Sequence, residues 1–296
     1  MTKMKSEILI TGATGNTGQA TLKRLIENNV PVRAMVRVLD ERSKALEEKG
    51  VEVVQGDFSD YFAVKKALRG IKRAYFCYPF KDGLPKAATY FAKAAKENGV
   101  EVIIAMSQMN VHDRSSSPAT QNHLAAEDIF NWSPVPVVHI RPGLFAWNYL
   151  SMAGPTIKQE GKFYFPNLDA KYTIVHPQDI GDVVANLLVS DHIELHYGKT
   201  YELAGPRTYT SHELVKELGE LLEKETEYVP IPVEHWIENV KQDPYINDFL
   251  AKHLKEFSND IKQGLFDKNN DHVATLTGHE PRAFSTFVKE NIQAFQ

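Results

Sequence analysis

What this 296-residue chain has little of narrows its class before any motif is considered. A single cysteine, Cys77, rules out an internal disulfide and points to a reducing compartment. A buried, small apolar role suits that residue. No apolar run approaches the ~20 residues that a bilayer-spanning helix needs, so no membrane role is expected. Basic charge is not in excess: 34 Lys and Arg against 38 Asp and Glu give a net charge of −4 and a pI near 6.3. That balance argues against a nucleic-acid partner. The opening Met1-Thr2-Lys3-Met4-Lys5-Ser6 leads at once into an apolar run and leaves no room for a signal peptide. There is no Gly-x-Ser-x-Gly and no complete Gly-x-x-x-x-Gly-Lys-Ser/Thr loop, which removes nucleophile-elbow hydrolases and P-loop enzymes. His192 and His196 stand four apart, but no third ligand is evident and Glu194 is misplaced for a zincin, so no metal is expected. What remains is a cytoplasmic globular protein, with 43% apolar residues to build a core.

The most informative stretch that is present runs from Ile8 to Gly18. Ile8-Leu9-Ile10 suits a strand buried on both faces. Gly12, Gly15 and Gly18 follow at three-residue spacing, and Leu22, Leu25 and Ile26 then mark one face of a helix. A helix N-terminus reached through glycines presents unpaired N–H groups and a positive dipole end, which suits a pyrophosphate. Gly12, Thr14, Gly15, Asn16, Thr17 and Gly18 are therefore expected to bind a dinucleotide.

Strand-like and helix-like segments alternate through the first half, the pattern of a Rossmann-type, doubly wound parallel sheet. Further strands are expected at 32–37, 51–54, 74–78, 102–106, 137–140 and 201–204, with helices near 41–49, 60–69 and 84–98. After about residue 150, Gly154-Pro155, Gly161 and Pro166 interrupt an aromatic-rich stretch, and helical patterns dominate from 211. The expected organisation is an α/β core over 1–150, to which 171–206 returns, with a smaller, mostly helical C-terminal lobe over 151–296 covering the substrate.

Nineteen residues beyond Gly18, where an NAD-preferring protein carries Asp or Glu, this chain has Arg37, with Arg42, Ser43 and Lys44 soon after. A guanidinium pairs with a phosphate and cannot accept from a ribose hydroxyl. NADP(H) is thus expected over NAD(H). Asp57, at the end of the third strand, is placed either to bond the adenine amino group or to cap the helix near Asp60.

The order of these motifs resembles the short-chain dehydrogenase/reductase superfamily in its atypical, NmrA-like branch. The residues that carry the resemblance are Gly12 to Gly18, Arg37, Gly56-Asp57-Phe58-Ser59-Asp60, Glu127, Val138 to Phe145 with its Arg141-Pro142-Gly143, and Gly278 to Arg282 with Phe284 and Phe287. The resemblance implies that Phe58, Tyr78, Ser107 and His123 also meet the cofactor. It also implies a Tyr-x-x-x-Lys on the helix after the fifth strand, and this chain departs from that. Ser107 follows the strand, but aligned on Glu127 the Lys position is His123 and the Tyr position Ala119. The one formal match, Tyr61 to Lys65, lies after the third strand and reads as chance. Ser107 and His123 are the remaining candidates for chemistry.

Aromatic residues after the fourth and sixth strands, Tyr78, Phe80, Phe145 and Trp147, with Asn148, suit a flat apolar pocket or hinge packing. A reductase of a small conjugated, aromatic or quinone-like acceptor needs little acid help and fits the missing pair. The alternative is a non-catalytic NADP(H) sensor acting through a protein partner.

Overall fold

In the computed structural model, which describes residues 6–295, the buried run Ile8–Ile10 forms strand β1 and the chain turns through glycines into helix α1, Asn16–Glu27. Alternation then continues through β2 (Val32–Val36), α2 (Glu41–Glu48), β3 (Glu52–Gln55), α3 (Tyr61–Ala67), β4 (Arg73–Phe76), α4 (Leu84–Asn98), β5 (Val102–Met106), α5 (Pro118–Trp132) and β6 (Val137–Pro142). Local chemistry sets the helix ends. Asp40 and Asp60 cap α2 and α3 by accepting from first-turn amides, and Gly99, at φ 69°, closes α4 where a left-handed residue is required.

The rest of the chain supplies β7 (Leu144–Phe145), α6 (Ala146–Glu160), β8 (Lys162–Phe165), β9 (Tyr172–Val175), α7 (Pro177–Val189), β10 (Thr200–Leu203), β11 (Thr208–Tyr209), α8 (Ser211–Leu222), β12 (Glu227–Pro230), α9 (Val233–Val240), α10 (Asp248–Lys262), α11 (His272–Thr277) and α12 (Phe284–Glu290). The chain divides into two compact units. The first takes the chain up to Ser107, then Asn122–Arg141 and Ile180–Tyr201; the second takes Gln108–Gln121, Pro142–Asp179 and everything from Glu202 onward.

The first unit holds a seven-stranded sheet in the order β10-β6-β5-β4-β1-β2-β3, parallel from β3 to β6. This is the Rossmann-type fold expected. One sheet face packs on small side chains: Ala67, Ala87, Ala88, Ala94, Ala95 and Ala126 let the helices approach Leu9, Phe76 and Ile103 closely. Gly181 on α7 sits against α1, where a Cβ would come within 2.5 Å of Ala20.

The second unit is helix-rich, and it carries two small sheets as well: β11-β9-β7, and a parallel pair β12-β8. Its core is aromatic, built on Tyr149, Phe163, Phe165, Tyr172, Trp236, Phe257 and Phe284. Here the expected break at Gly154-Pro155 does not occur, because both residues lie inside α6. A proline forfeits one backbone hydrogen bond, and the buried Tyr149, Ala153 and Ile157 hold the helix together across it. Gly161, at φ 71°, is the actual stop. Ile193–His196 form a short 3-10 helix with His192 at its N-cap, and His196 Nδ1 lies 2.7 Å from the Tyr201 hydroxyl. Gly198-Lys199-Thr200 leads into a strand rather than the helix a phosphate loop requires. No helix among the described residues is long and apolar enough to cross a membrane.

Candidate functional site

Parallel strands place their carboxyl ends on one edge, and the sequence-predicted residues of the first unit follow those ends. Gly12 comes after β1, Arg37 after β2, Asp57 after β3, Tyr78 after β4 and Ser107 after β5. Along the sheet the order is Ser107, Tyr78, Gly12, Arg37, Asp57. At ~4.8 Å per strand this row spans roughly 19 Å. The chain reverses its direction of travel between β1 and β4, the switch point where open α/β sheets take ligands.

The glycine turn at this point is closely fitted. Gly12 adopts φ 61°, and a Cβ there would lie 3.1–3.3 Å from Cys77 atoms. A Cβ on Gly18 would come within 2.2 Å of the Gly12 carbonyl oxygen, so only glycine lets the turn close. Thr11 Oγ1 donates to Tyr75 O at 2.9 Å and accepts from Cys77 N at 2.9 Å, fixing the turn to β4. No side chain caps α1 at Gly15, and Gly15 and Asn16 are exposed, which leaves the first-turn amides open to an anion. Thr17 is buried, with its hydroxyl 3.0 Å from that of Tyr75, so it offers only its backbone. Thr14 O accepts from Gln19 Nε2 at 2.8 Å, and half-buried Cys77 sits 3.6 Å from Thr17 Oγ1.

At the β2–β3 end, Arg37 is exposed and its guanidinium makes no ion pair among the described residues. Its carbonyl accepts from Gln55 Nε2 at 3.2 Å. Arg42 differs: Nε and Nη2 donate to Asp40 Oδ2 at 3.0 and 2.5 Å. Ser43 is buried in the same cap. Both are therefore engaged by Asp40. Asp57 does not cap α3, since Asp60 does; instead Asp57 Oδ1 accepts from Ser59 N and Oγ at 2.8 and 2.7 Å. Those bonds from Ser59 hold its carboxyl below the usual aspartate range. Phe58 packs against Phe76, Tyr78 and Phe91, with centroids 5.2, 5.4 and 6.3 Å away. The Tyr78 hydroxyl donates to Asp82 O at 2.9 Å.

At the β5 end the Ser107 hydroxyl is buried beside Glu127, and its hydrogen bond helps to hold that carboxyl below its ordinary value. The Ser107 backbone N–H donates to Ile140 O at 2.8 Å, which fixes the residue against β6. His123, on α5, is half-buried, 6.5 Å between ring centroids from the exposed Phe80. Burial pushes the His123 pKa down to about 4, so near neutrality the imidazole is uncharged. One turn on, Glu127 accepts a bidentate pair from Arg141 at 2.9 and 2.5 Å. Burial pushes the Glu127 carboxyl up, and the guanidinium more than offsets it, leaving it below its ordinary value. Ala119 is buried and offers no hydroxyl. Tyr61 and Lys65 are both engaged by Glu97, at 2.5 and 2.6 Å, and that bond raises the Tyr61 pKa to about 12.

Within the second unit, Trp147 and Asn148 are exposed on the first turn of α6 and Phe145 is half-buried; Trp147 meets Phe287 edge-on at 6.2 Å. Tyr149, in contrast, is wholly buried between Phe163 and Phe284. Sequence reasoning missed two polar arrangements here. Buried Asp179 is held by Arg282 through backbone N–H and guanidinium, which explains the Gly278 to Arg282 motif. The loop 108–121 is clasped to α10: Asn110 Nδ2 donates to Asp260 Oδ2 at 2.7 Å, and Ser117 Oγ lies 2.9 Å from His253 Nδ1. A motif match could have flagged the first, whereas nothing local flags the second.

Residues 4–287 match the model of the NmrA-like family. The chain is 28% identical over 293 residues to (4-alkanoyl-5-oxo-2,5-dihydrofuran-3-yl)methyl phosphate reductase of Streptomyces griseus, covering 97% of this chain and 99% of the relative. It is 28% identical over 279 residues to quinone oxidoreductase 2 of Escherichia coli, covering 92% and 94%. The crystal structure of the NADPH-dependent quinone oxidoreductase of Escherichia coli, complexed with NADPH, has a TM-score of 0.85 at 25% identity, over 96% of this chain and 99% of that one. NmrA, a negative transcriptional regulator solved with NADP, shares the fold with a TM-score of 0.80 at 14% identity, over 98% and 97%.

Proposed function

The chain belongs to the NmrA-like family, and on that premise we propose that it is a cytoplasmic, NADPH-dependent reductase of a small conjugated or aromatic acceptor such as a quinone. The observation that carries this reading is the sheet edge itself. A glycine cradle that any Cβ would fill, an uncapped helix N-terminus, an Arg37 without an ion pair among the described residues and a buried Ser107 hydroxyl lie on the ends of β1, β2 and β5 along one sheet edge. These suit, in turn, a pyrophosphate, a 2′-phosphate and the ribose or carboxamide of a nicotinamide. The names of the Streptomyces and Escherichia coli relatives support a reductase.

The bound cofactor supplies a hydride. The chain's own part is to hold it: the first-turn amides of α1 bind the pyrophosphate, Arg37 the 2′-phosphate, and Ser107 and neutral His123 offer uncharged hydrogen bonds. At the two aligned positions Ala119 has no hydroxyl to donate and burial keeps His123 uncharged near neutrality. An acceptor whose reduced anion is delocalised takes its proton from water and needs none. Tyr78 and Phe80, which follow β4 in the first unit, are the side chains we assign to that acceptor.

The same lack of a tyrosine–lysine pair favours a second reading, an NADP(H) sensor acting through a protein partner. NADPH oxidation against a panel of quinones, enones and azo dyes decides between them. Turnover with at least one acceptor is expected. Its absence with all of them, together with a change of assembly between NADP and NADPH, would establish the sensor. In titrations Arg37→Ala should weaken NADPH about ten- to a hundredfold and leave NADH nearly unchanged.

A further inference from the structure

Arg37 follows β2, and four residues later the chain starts α2, whose first turn carries a second guanidinium, Arg42. A helix N-terminus beside an arginine normally attracts an anion. Here an anion is built in. Asp40 Oδ1 accepts from the amides of Arg42 and Ser43 at 3.0 and 3.2 Å, and Oδ2 accepts from Arg42 Nε and Nη2 at 3.0 and 2.5 Å. One carboxylate thus occupies both the helix amides and the guanidinium. The Arg42 hydrogen bond is also the largest influence lowering the Asp40 pKa, so the pair stays charged through the physiological range.

We propose that Asp40 is a specificity-determining residue: it holds Arg42 away from the 2′-phosphate, so that Arg37 alone reads that phosphate and discrimination against NADH is restrained. This rests on the reading of Arg37 as the phosphate partner. The turn itself does not depend on the Arg42 pair. Ser43, buried, accepts from Asp40 N at 2.9 Å and donates to Asp40 O at 2.7 Å. Asp40→Asn therefore keeps an N-cap acceptor of equal quality while giving up the charge that binds Arg42.

The test is a calorimetric titration of NADPH and NADH into the full chain, the Asp40→Asn and Arg42→Ala variants, their double variant and Arg37→Ala. The pair is exposed, so a modest gain is expected: Asp40→Asn tightens NADPH about three- to fivefold and moves NADH less than about twofold. Arg42→Ala alone leaves the NADPH/NADH ratio unchanged, and in its background the gain from Asp40→Asn falls below about twofold. An unchanged ratio in Asp40→Asn overturns the proposal, as does a gain that persists without Arg42, which would belong to charge removal alone. Should Asp40→Asn melt early, Asp40→Ser retains a cap and is read the same way. Arg37→Ala separates the two levels. If it leaves the ratio untouched, the phosphate reading itself fails; if it abolishes the preference while Asp40→Asn does nothing, only the role of Asp40 fails.

Discussion

The two units solve the packing problem with opposite materials. The first closes its helices onto a regular sheet through alanines, so Ala87, Ala88, Ala94 and Ala95 on one helix suffice. The second has short strands and helices of unequal length, and it fills the irregular space with rings, from Tyr149 and Phe163 to Trp236 and Phe295. Regular backbone geometry permits close approach with small side chains, whereas irregular geometry demands large ones. The difference extends to what each unit tolerates. The alanine-packed unit has no slack for added atoms, and the aromatic one is costly to hollow.

The comparison breaks most visibly at Gly18. Valine there would set a Cβ 2.2 Å from the Gly12 carbonyl oxygen, a backbone atom that cannot yield without opening the turn. Gly18→Val should cost at least about 4 kcal/mol and abolish measurable nucleotide binding; a denaturant melt and a titration check both.

The next largest effect concerns the buried ion pairs, one in each unit. Glu127→Gln leaves Arg141 without its countercharge and should destabilise by about 3 kcal/mol in urea. The two carboxylates should also respond oppositely to acid. Glu127 is held below its ordinary value, so its contribution is complete above that value and is lost as pH falls through the lowered folded pKa. Burial, only partly offset by Arg282, holds Asp179 above its ordinary value, so on acidification it takes up its proton more readily folded than unfolded and the second unit gains. Hydrogen exchange followed by region during acidification should therefore show protection around Glu127 falling first. Simultaneous loss in both units would contradict the assignment.

The smallest effect sharpens the aromatic side of the comparison. The Tyr149 hydroxyl is buried with no partner among the described residues, so Tyr149→Phe removes an unmet donor while keeping the ring. Stability should stay within about 1 kcal/mol or rise. A loss above that in thermal melts would reveal a partner for the hydroxyl.

Legibility followed the same division. In the first unit the signals are local: an apolar triplet, a glycine turn and a helix stop at Asn98-Gly99 each declare themselves within a few residues. Strand ends therefore came within a residue or two, and the row from Gly12 to Ser107 could be listed before its geometry was known. What local sequence could not weigh was competition for the same group. Arg42 and Ser43 stand close to Arg37 in sequence, yet Asp40 holds both, and of the two roles open to Asp57 the capping one is taken by Asp60. In the second unit the decisive pairings are remote. β8 pairs with β12 across some sixty residues, and Asp260 holds Asn110 across 150. No window of sequence contains both partners, and Gly154-Pro155 misled because tertiary packing overrides a breaker's propensity.

The contact between Gly181 and Ala20 bears on how the chain is made. Helix α7 docks on α1 so closely that no side chain fits between them, yet 161 residues separate the two positions. The nucleotide-facing half of the first unit leaves the ribosome early and must wait, with its sheet edge bare at β6, until roughly two-thirds of the chain has been synthesised and β10 can close it. Such long-range closure slows folding, because loop entropy is lost before the contact is gained. During that interval the exposed edge is the segment most in need of a chaperone, and a nascent chain stalled before Ile180 should be the form most prone to aggregate.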